Sequence, residues 1–372
     1  MVRCITYANM RNKNIKQNEF VSNIVFWILF LLICGESSNW NYPAYENHYI
    51  SYKTYYEDFN HELLYVYFVR LFNEIGLDFK YLFLFLFGTG LLLMRNVVNR
   101  YIGQYGWIFY TLFFIFPTCN AVAEFRNSIA MFILTFGFPY LISGKKTDIL
   151  KFILLIFISF SFHQTSIIYI ILLLIFLYDR PKWRFILTIV YFLGLLLCFY
   201  LLFFSSALES VKILFATYME ESDIDGLTNR IGYIENTANW GFIIFGSFHL
   251  FITYTVYRLR KLYRQNIIVD DVKDRFASLV IFADLLFVFV IVLIKVDSTF
   301  YRLLQNLILL NYIAILMMYK NINGALNRNI GRRVYFCFFI ILLLFALFRG
   351  SSYFEYNILP MFLDNWILGL NF

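Results

Sequence analysis

Apolar runs of roughly 15 to 22 residues recur along the whole chain, separated by short polar stretches. A helix that crosses hydrocarbon needs about 17 to 25 such residues, and inside a bilayer only helices or closed barrels satisfy their own backbone. The pattern predicts spans at about 20–35, 79–94, 101–118, 126–143, 149–163, 165–178, 185–206, 239–257, 276–294, 303–319 and 334–348. Several are short, which implies tilt or local thinning of the bilayer. The expected fold is all-α: a polytopic membrane protein of about 11 (10–12) transmembrane helices, one membrane domain over residues 1–372. Two polar stretches are too long for turns and are expected as outer loops, about 36–78 and 207–238. From His61 the first regains a helical period (Leu64, Phe68, Leu71, Phe72, Ile75), which predicts an interfacial amphipathic helix. The second carries Glu220, Glu221, Asp223, Asp225 and Glu235 and reads as a solvated acidic face.

Charge orients this layout. With the N-terminus inside, the inner loops hold 22 of the 31 Lys and Arg, leaving 9 outside, the bias expected of cytoplasmic loops. Eleven spans then put the C-terminus outside, and the apolar tail from Tyr353 to Phe372 is able to dip back in as a twelfth element. The net charge of +7 is spread over short loops, so it sets orientation and does not mark a nucleic-acid partner. Composition agrees with the pattern: 372 residues, 61% hydrophobic and 22% aromatic, with a mean hydropathy of +0.67. Cys4, Cys34, Cys119, Cys198 and Cys337 are scattered without metal or disulfide spacing and read as packing residues. The basic start leads into Val21–Cys34 without a small-residue cleavage site, so a retained first span is expected.

Against this background a few polar residues stand out. Arg126 to Gly144 is 18 residues, about 27 Å of helix, and Lys145 to His163 is another 18. A hairpin turning at Gly144-Lys145-Lys146 therefore returns His163 to the depth and face of Arg126. The same outer rim collects Lys295, Arg302 and Tyr356-Asn357. Outer arginines beside spans suit a phosphate or pyrophosphate, because guanidinium presents a planar fork of donors. Each arginine alone is better explained by snorkelling or by pairing with an acid such as Glu124 or Asp297; taken together with His163 at the matched depth, the set favours a site. His163 reads either as a general base or acid, or as a packing histidine. Tyrosines of the first outer loop suit a membrane-interface belt or stacking on sugar rings. Deeper in, His249 and Asp284 fall roughly 15 and 12 Å into neighbouring antiparallel spans and are expected to meet as a structural pair. Asp223-Ile224-Asp225 spells the Asp-x-Asp of metal-dependent sugar transferases, a tripeptide common by chance. No His-Glu-x-x-His, phosphate-cradling glycine loop or Gly-x-Ser-x-Gly is present, so neither a metal nor another cofactor is expected.

The run Arg126-Asn127-Ser128-Ile129-Ala130, then Gly144-Lys145-Lys146, then Phe162-His163-Gln164-Thr165-Ser166, resembles the core of the EpsG family, Wzy-like polymerases of bacterial exopolysaccharide and capsule. Asn41-Tyr42-Pro43-Ala44-Tyr45 with Tyr49, His61-Glu62-Leu63-Leu64-Tyr65, Phe300-Tyr301-Arg302 and Tyr356-Asn357 resemble its remaining motifs. Asn127 departs from the glutamine frequent there, and Asn41 from a frequent acid, which puts any role of that acid in doubt here. The resemblance implies transfer of a growing glycan from undecaprenyl pyrophosphate to a lipid-linked repeat unit, on the outer face of the cytoplasmic membrane. It implies Arg126 and Arg302 as pyrophosphate ligands and His163 as base or hydroxyl-orienting group. Glu62, Tyr45, Tyr301, Tyr356 and Asn357 would serve substrate binding, with Glu62 a further acid/base candidate. Membrane lipid and a chain-length-regulating co-polymerase are the other partners it brings in. Rival readings are a glycan ligase using the same arginines, a flippase for the lipid-linked sugar, for which no internal repeat is evident, and an acyltransferase.

Overall fold

The computed structural model describes residues 2–36, 38, 41–51, 62–203, 224–296, 298–348 and 354–371. Side chains are outside this description at 2–16, 119, 203, 224–240, 296, 298, 348, 354 and 371. Most of the described residues are helical. Among the described residues, seven helices are long and apolar enough to cross a membrane: Gln17–Cys34, Phe79–Tyr101, Phe125–Ser143, Pro181–Leu202, Gly241–Tyr263, Tyr301–Lys320 and Ala325–Leu347. The protein is thus an all-α, multi-pass membrane protein.

The other four expected spans are broken or too short to count among these seven. The one at 101–118 is a helix over Gly106–Ile115 that stops before Pro117, a residue with no N–H to continue the ladder. The one at 149–163 is Lys146–Phe160. The one at 276–294 splits into Asp271–Phe287 and Val290–Val296, the first begun by Asp270, whose carboxylate accepts from the Val272 and Lys273 N–H groups. The one at 165–178 is a 3₁₀ helix, Gln164–Leu174, continued as an α-turn over Ile175–Tyr178. Its greater rise per residue stretches fifteen residues to about 28 Å, close to a hydrocarbon thickness.

The expected acidic loop at 207–238 is helical from Ile224 onward, as the start of a helix over Ile224–Tyr263. Glu220, Glu221, Asp223 and the side chains of Asp225 and Glu235 lie outside the described residues, as do His61, Asp297 and Tyr353. The amphipathic helix of the first outer loop is present as Leu63–Glu74.

Tyr301–Lys320 is the most enclosed of the seven helices and Pro181–Leu202 the barest. The expected hairpin is present. Phe125–Ser143 packs against Lys146–Phe160, the chain reversing at Gly144, which sits in the left-handed region with φ of 64°. Close approach is set by Gly137, whose position faces Leu155 and Phe152.

The tail does not form another long span. A short π-helix, Phe354–Ile358, leads into Leu359–Leu363 and then a two-stranded hairpin, Asp364–Asn365 with Leu370–Asn371. Asn365 is fully buried and closes the C-terminal end of the first helix. Its Nδ2 reaches the Leu31 and Leu32 carbonyls at 3.2 and 3.1 Å and that of Met361 at 3.0 Å, and its Oδ1 accepts from Leu368 N–H at 3.1 Å. Trp366 N–H donates to the Gly35 carbonyl at 2.9 Å. Helix-end carbonyls that would be orphaned in an apolar setting are thereby satisfied.

Candidate active site

One carboxylate organises the first half of the site. Glu62 sits just before the Leu63–Glu74 helix, whose first N–H groups, those of Leu64 and Tyr65, both donate to the Ser161 carbonyl at 3.1 and 3.3 Å. Ser161 ends the returning arm of the hairpin. The outer-loop helix is therefore fixed two residues from His163, and Glu62 points between the two hairpin arms. Arg126 Nη1 donates to Glu62 Oε2, and His163 Nδ1 lies 3.4 Å from Glu62 Oε1. The hairpin thus brings Arg126 and His163 to one point, as the equal arm lengths predict.

Two tyrosines wall this arginine. Its guanidinium carbon lies 5.8 Å from the ring centre of Tyr45 and 5.5 Å from that of Tyr65, within cation–π range. Tyr45 is itself stacked on Phe79 and edge-on to Phe125, and it stands within electrostatic reach of both Arg126 and Arg302. The short helix that carries Tyr45, Tyr42–Ile50, is tied down at its start by Asn41, whose Nδ2 donates to the Ala123 carbonyl at 2.6 Å. Asn41 thus acts here through its amide donor. On the same helix, burial and then the charge of Arg126 hold the His48 imidazole below its ordinary range.

A second carboxylate organises the other half. Glu124 immediately precedes the Phe125–Gly137 helix. Its Oε1 accepts from the Tyr301 hydroxyl and lies 3.1 Å from Arg302 Nε, an ion-pair contact without hydrogen-bond alignment. Its Oε2 accepts from Asn127 Nδ2 at 3.3 Å. Asn127 and Asn306 then exchange amide hydrogen bonds of 3.2 and 2.9 Å, and Asn120 Nδ2 donates to Gln305 Oε1 at 2.7 Å. The pairing of an outer arginine with Glu124 is therefore realised by Arg302, whereas Arg126 takes Glu62.

Both halves share one layout. The carboxylates are 6% and 7% exposed, while the side chains of Arg126 and Arg302 are 26% and 34% exposed. Acids lie beneath and guanidiniums lie at the opening. An arginine has five N–H donors, and contacts of Arg126 with Glu62 and Tyr45 and of Arg302 with Glu124 leave further donors for a ligand. Arg126 Nε and His163 Nδ1 are buried without hydrogen-bond partners.

Other expectations fare differently. Tyr301 serves Glu124 through its hydroxyl while its ring stacks on Phe245 at 4.7 Å. Tyr356 is exposed and Asn357 buried, on the π-helix that packs against Thr118–Ala123, the element just before Glu124. The π-helix thus stands beside the Glu124 half of the site. Lys295 donates to the Leu202 carbonyl and lies over the Phe242 ring, so it is engaged by its own neighbours. His249 and Asp284 do meet, but through the backbone: His249 Nε2 is 2.9 Å from the Asp284 carbonyl, and the carboxylate of Asp284 accepts from Asn311 Nδ2 at 2.9 Å instead. No group of three or more His, Cys, Asp or Glu able to hold a metal ion occurs among the described residues.

Sequence reasoning passed over Asn306, Gln305 and Asn120, quoted Tyr65 only within a motif without a role, and named Glu124 only as a neutralising partner. The signal was present in the spacing: Arg302 and Asn306 are i,i+4, and Glu124 and Asn127 are i,i+3, so each pair shares one helix face. No curated protein and no solved structure matches this chain. The EpsG family model matches residues 19–362, nearly the whole length and all of the residues just described, and the chain belongs to the EpsG family.

Proposed function

We propose that this protein polymerises lipid-linked oligosaccharide repeat units on the outer face of the cytoplasmic membrane, moving the growing glycan from undecaprenyl pyrophosphate to the next unit. Membership of the EpsG family supports a Wzy-like polysaccharide polymerase in general. The observation that carries the finer reading is the meeting of Arg126 and His163 on Glu62, with Arg302 on Glu124, at one end of the helices. Such a site supplies what the transfer needs. The free donors of Arg126 and Arg302 hold the pyrophosphate and stabilise the charge that grows on it as its bond to the sugar breaks. The acceptor hydroxyl attacks the anomeric carbon, and its proton passes to His163 Nε2. Glu62 Oε1 lies 3.4 Å from Nδ1, an ion-pair contact that places a carboxylate where it can orient the ring once the base takes up the proton. The electron pair of the broken carbon–oxygen bond leaves on the lipid pyrophosphate. Tyr45 and Tyr65 flank Arg126 and confine its fork.

The test is the glycan profile of cells carrying Arg126→Ala or His163→Ala, with the membrane level of each variant measured. Long polymer should vanish while single lipid-linked repeat units accumulate outside. Normal polymer would refute the assignment. Polymer that forms but stays on its lipid would shift the assignment to a ligase.

A further inference from the structure

Below the site, an apolar crevice of about 340 Å³ lies between three elements. Its walls are Leu174 and Tyr178 from the 3₁₀ segment and its α-turn, Val190 and Tyr191 from Pro181–Phe203, and Leu286 and Phe289 around the end of Asp271–Phe287. Phe192 and Val190 are exposed, so the crevice opens sideways to hydrocarbon. Gly194 keeps the bare helix close at one end, where a Cβ would lie 2.7 Å from the Phe289 ring. At the other end Arg275 pairs with Asp179 at 3.0 Å and Arg184 Nε donates to the Tyr178 carbonyl at 3.1 Å.

We infer that this crevice holds part of the hydrocarbon tail of the lipid pyrophosphate whose head lies on Arg126 and Arg302. The inference rests on the polymerase reading. It is carried by continuity of the walls. The 3₁₀ segment that lines the crevice begins one residue after His163, and eight residues at about 2.0 Å each separate His163 from Ile171 at the crevice edge, about 16 Å. The opposite wall joins the same layer. Tyr169 stacks on Phe287 at 4.9 Å and donates its hydroxyl to the carbonyl of Leu303, the residue after Arg302. The segment that follows His163 therefore forms one wall of the crevice, and through Tyr169 it is tied both to the Asp271–Phe287 wall and to the residue after Arg302. A ligand with an anionic head and an apolar tail fits both ends of this path. The head region pairs each arginine with a carboxylate, so charge attraction there is largely spent within the protein, and apolar burial of the tail supplies affinity that the head does not.

The test uses full-length protein in nanodiscs of phosphatidylethanolamine and phosphatidylglycerol. The probe is undecaprenyl pyrophosphate with a photoreactive group at the tail end, and labelled peptides are mapped by mass spectrometry. Label is expected on 171–178, 187–192 and 282–289 and is displaced by unlabelled undecaprenyl pyrophosphate. It falls at least tenfold in Val190→Trp or Thr188→Trp, which fill the crevice, and persists in Ile189→Trp, a change of the same kind at an exposed position outside the lining. Label elsewhere overturns the inference. So does displacement by added phospholipid as effective as by the pyrophosphate, which would make the occupant bulk lipid. Polymerisation measured in the same preparation separates the two readings. A labelled crevice without polymer keeps the tail site and removes the polymerase, and polymer with an unlabelled crevice does the reverse.

Discussion

Replacing Asn365 by alanine removes the amide that joins the tail to the first helix. Its two N–H donors serve the Leu31, Leu32 and Met361 carbonyls, and its oxygen accepts from Leu368 N–H. The residue is fully buried, so the freed groups find no water. A net hydrogen bond contributes about 0.5–1.5 kcal/mol, and a stranded buried group costs about 1–3 kcal/mol. Two donated bonds and one accepted bond give an expected loss of about 2–4 kcal/mol. Gly35→Ala attacks the same joint from the other side, because a Cβ there would lie 2.0 Å from Asn365 Oδ1. The glycine has no positive φ, so the penalty is the collision alone. It expels the amide and should cost a similar amount.

The double variant is the decisive one. Asn365→Ala clears the space that the new Cβ requires, so Gly35→Ala adds little on top of it. The coupling should be about 2–3 kcal/mol, at the upper end for residues in contact. The assay is unfolding of the four proteins in one detergent, together with limited proteolysis of residues 354–371 as a local readout. Both single variants should expose the tail. Additive losses would refute the reasoning, since they would mean that the two residues do not share one joint.

Arg126→Lys keeps the charge but not the fork, so long polymer should fall at least tenfold with protein level unchanged; full polymerisation would exclude forked contact. Glu62→Gln keeps the shape and removes the charge that faces both Arg126 and His163, so kcat should drop about 10–100-fold, as for loss of an orienting partner; an unchanged kcat would show that His163 acts without it. Double-mutant cycles should give less than about 0.5 kcal/mol between His249→Ala and Asp284→Ala, whose contact is to the main chain, and about 0.5–3 kcal/mol between Asp284→Ala and Asn311→Ala; the reverse ranking would contradict the geometry. His48 is held below its ordinary value of 6.5, so the folded protein binds that proton less readily than the unfolded chain, and stability declines as pH falls through 6.5. His48→Gln should flatten this slope in melting curves taken from pH 7.5 to 5.5, and an unaltered slope would assign it to other groups.

The hairpin was legible because its information is metric: equal arms of 18 residues and a glycine able to take the left-handed turn determine where Arg126 and His163 meet. The number of full-length helices was less legible. Apolar runs look alike whether they form one straight helix, a helix stopped before Pro117, or a 3₁₀ segment such as Gln164–Leu174, since hydropathy carries no record of rise per residue. Glu62 and Glu124 were visible as acids but not as the foundation of the site. Their roles come from contacts across 64 and 177 residues of chain, Arg126 with Glu62 and Tyr301 with Glu124. The tail was hardest, because its docking depends on one asparagine side chain finding the end of a helix more than 330 residues away.

The buried acids explain why arginine rather than lysine suits this site. Arg126 with Glu62 and Arg302 with Glu124 sum to zero formal charge. A lysine ammonium over each carboxylate would turn its compact charge toward that partner and present little else to a ligand. A guanidinium meets the carboxylate on one edge and keeps its remaining donors directed elsewhere. Recognition then depends on where N–H groups point and not on a net field. Since only long-range attraction between exposed charges is strongly screened, substrate KM should vary little between 0.05 and 0.5 M salt. On the polymerase reading, a KM rising tenfold or more over that range would mean that net charge, not the orientation of the two forks, holds the anionic substrate.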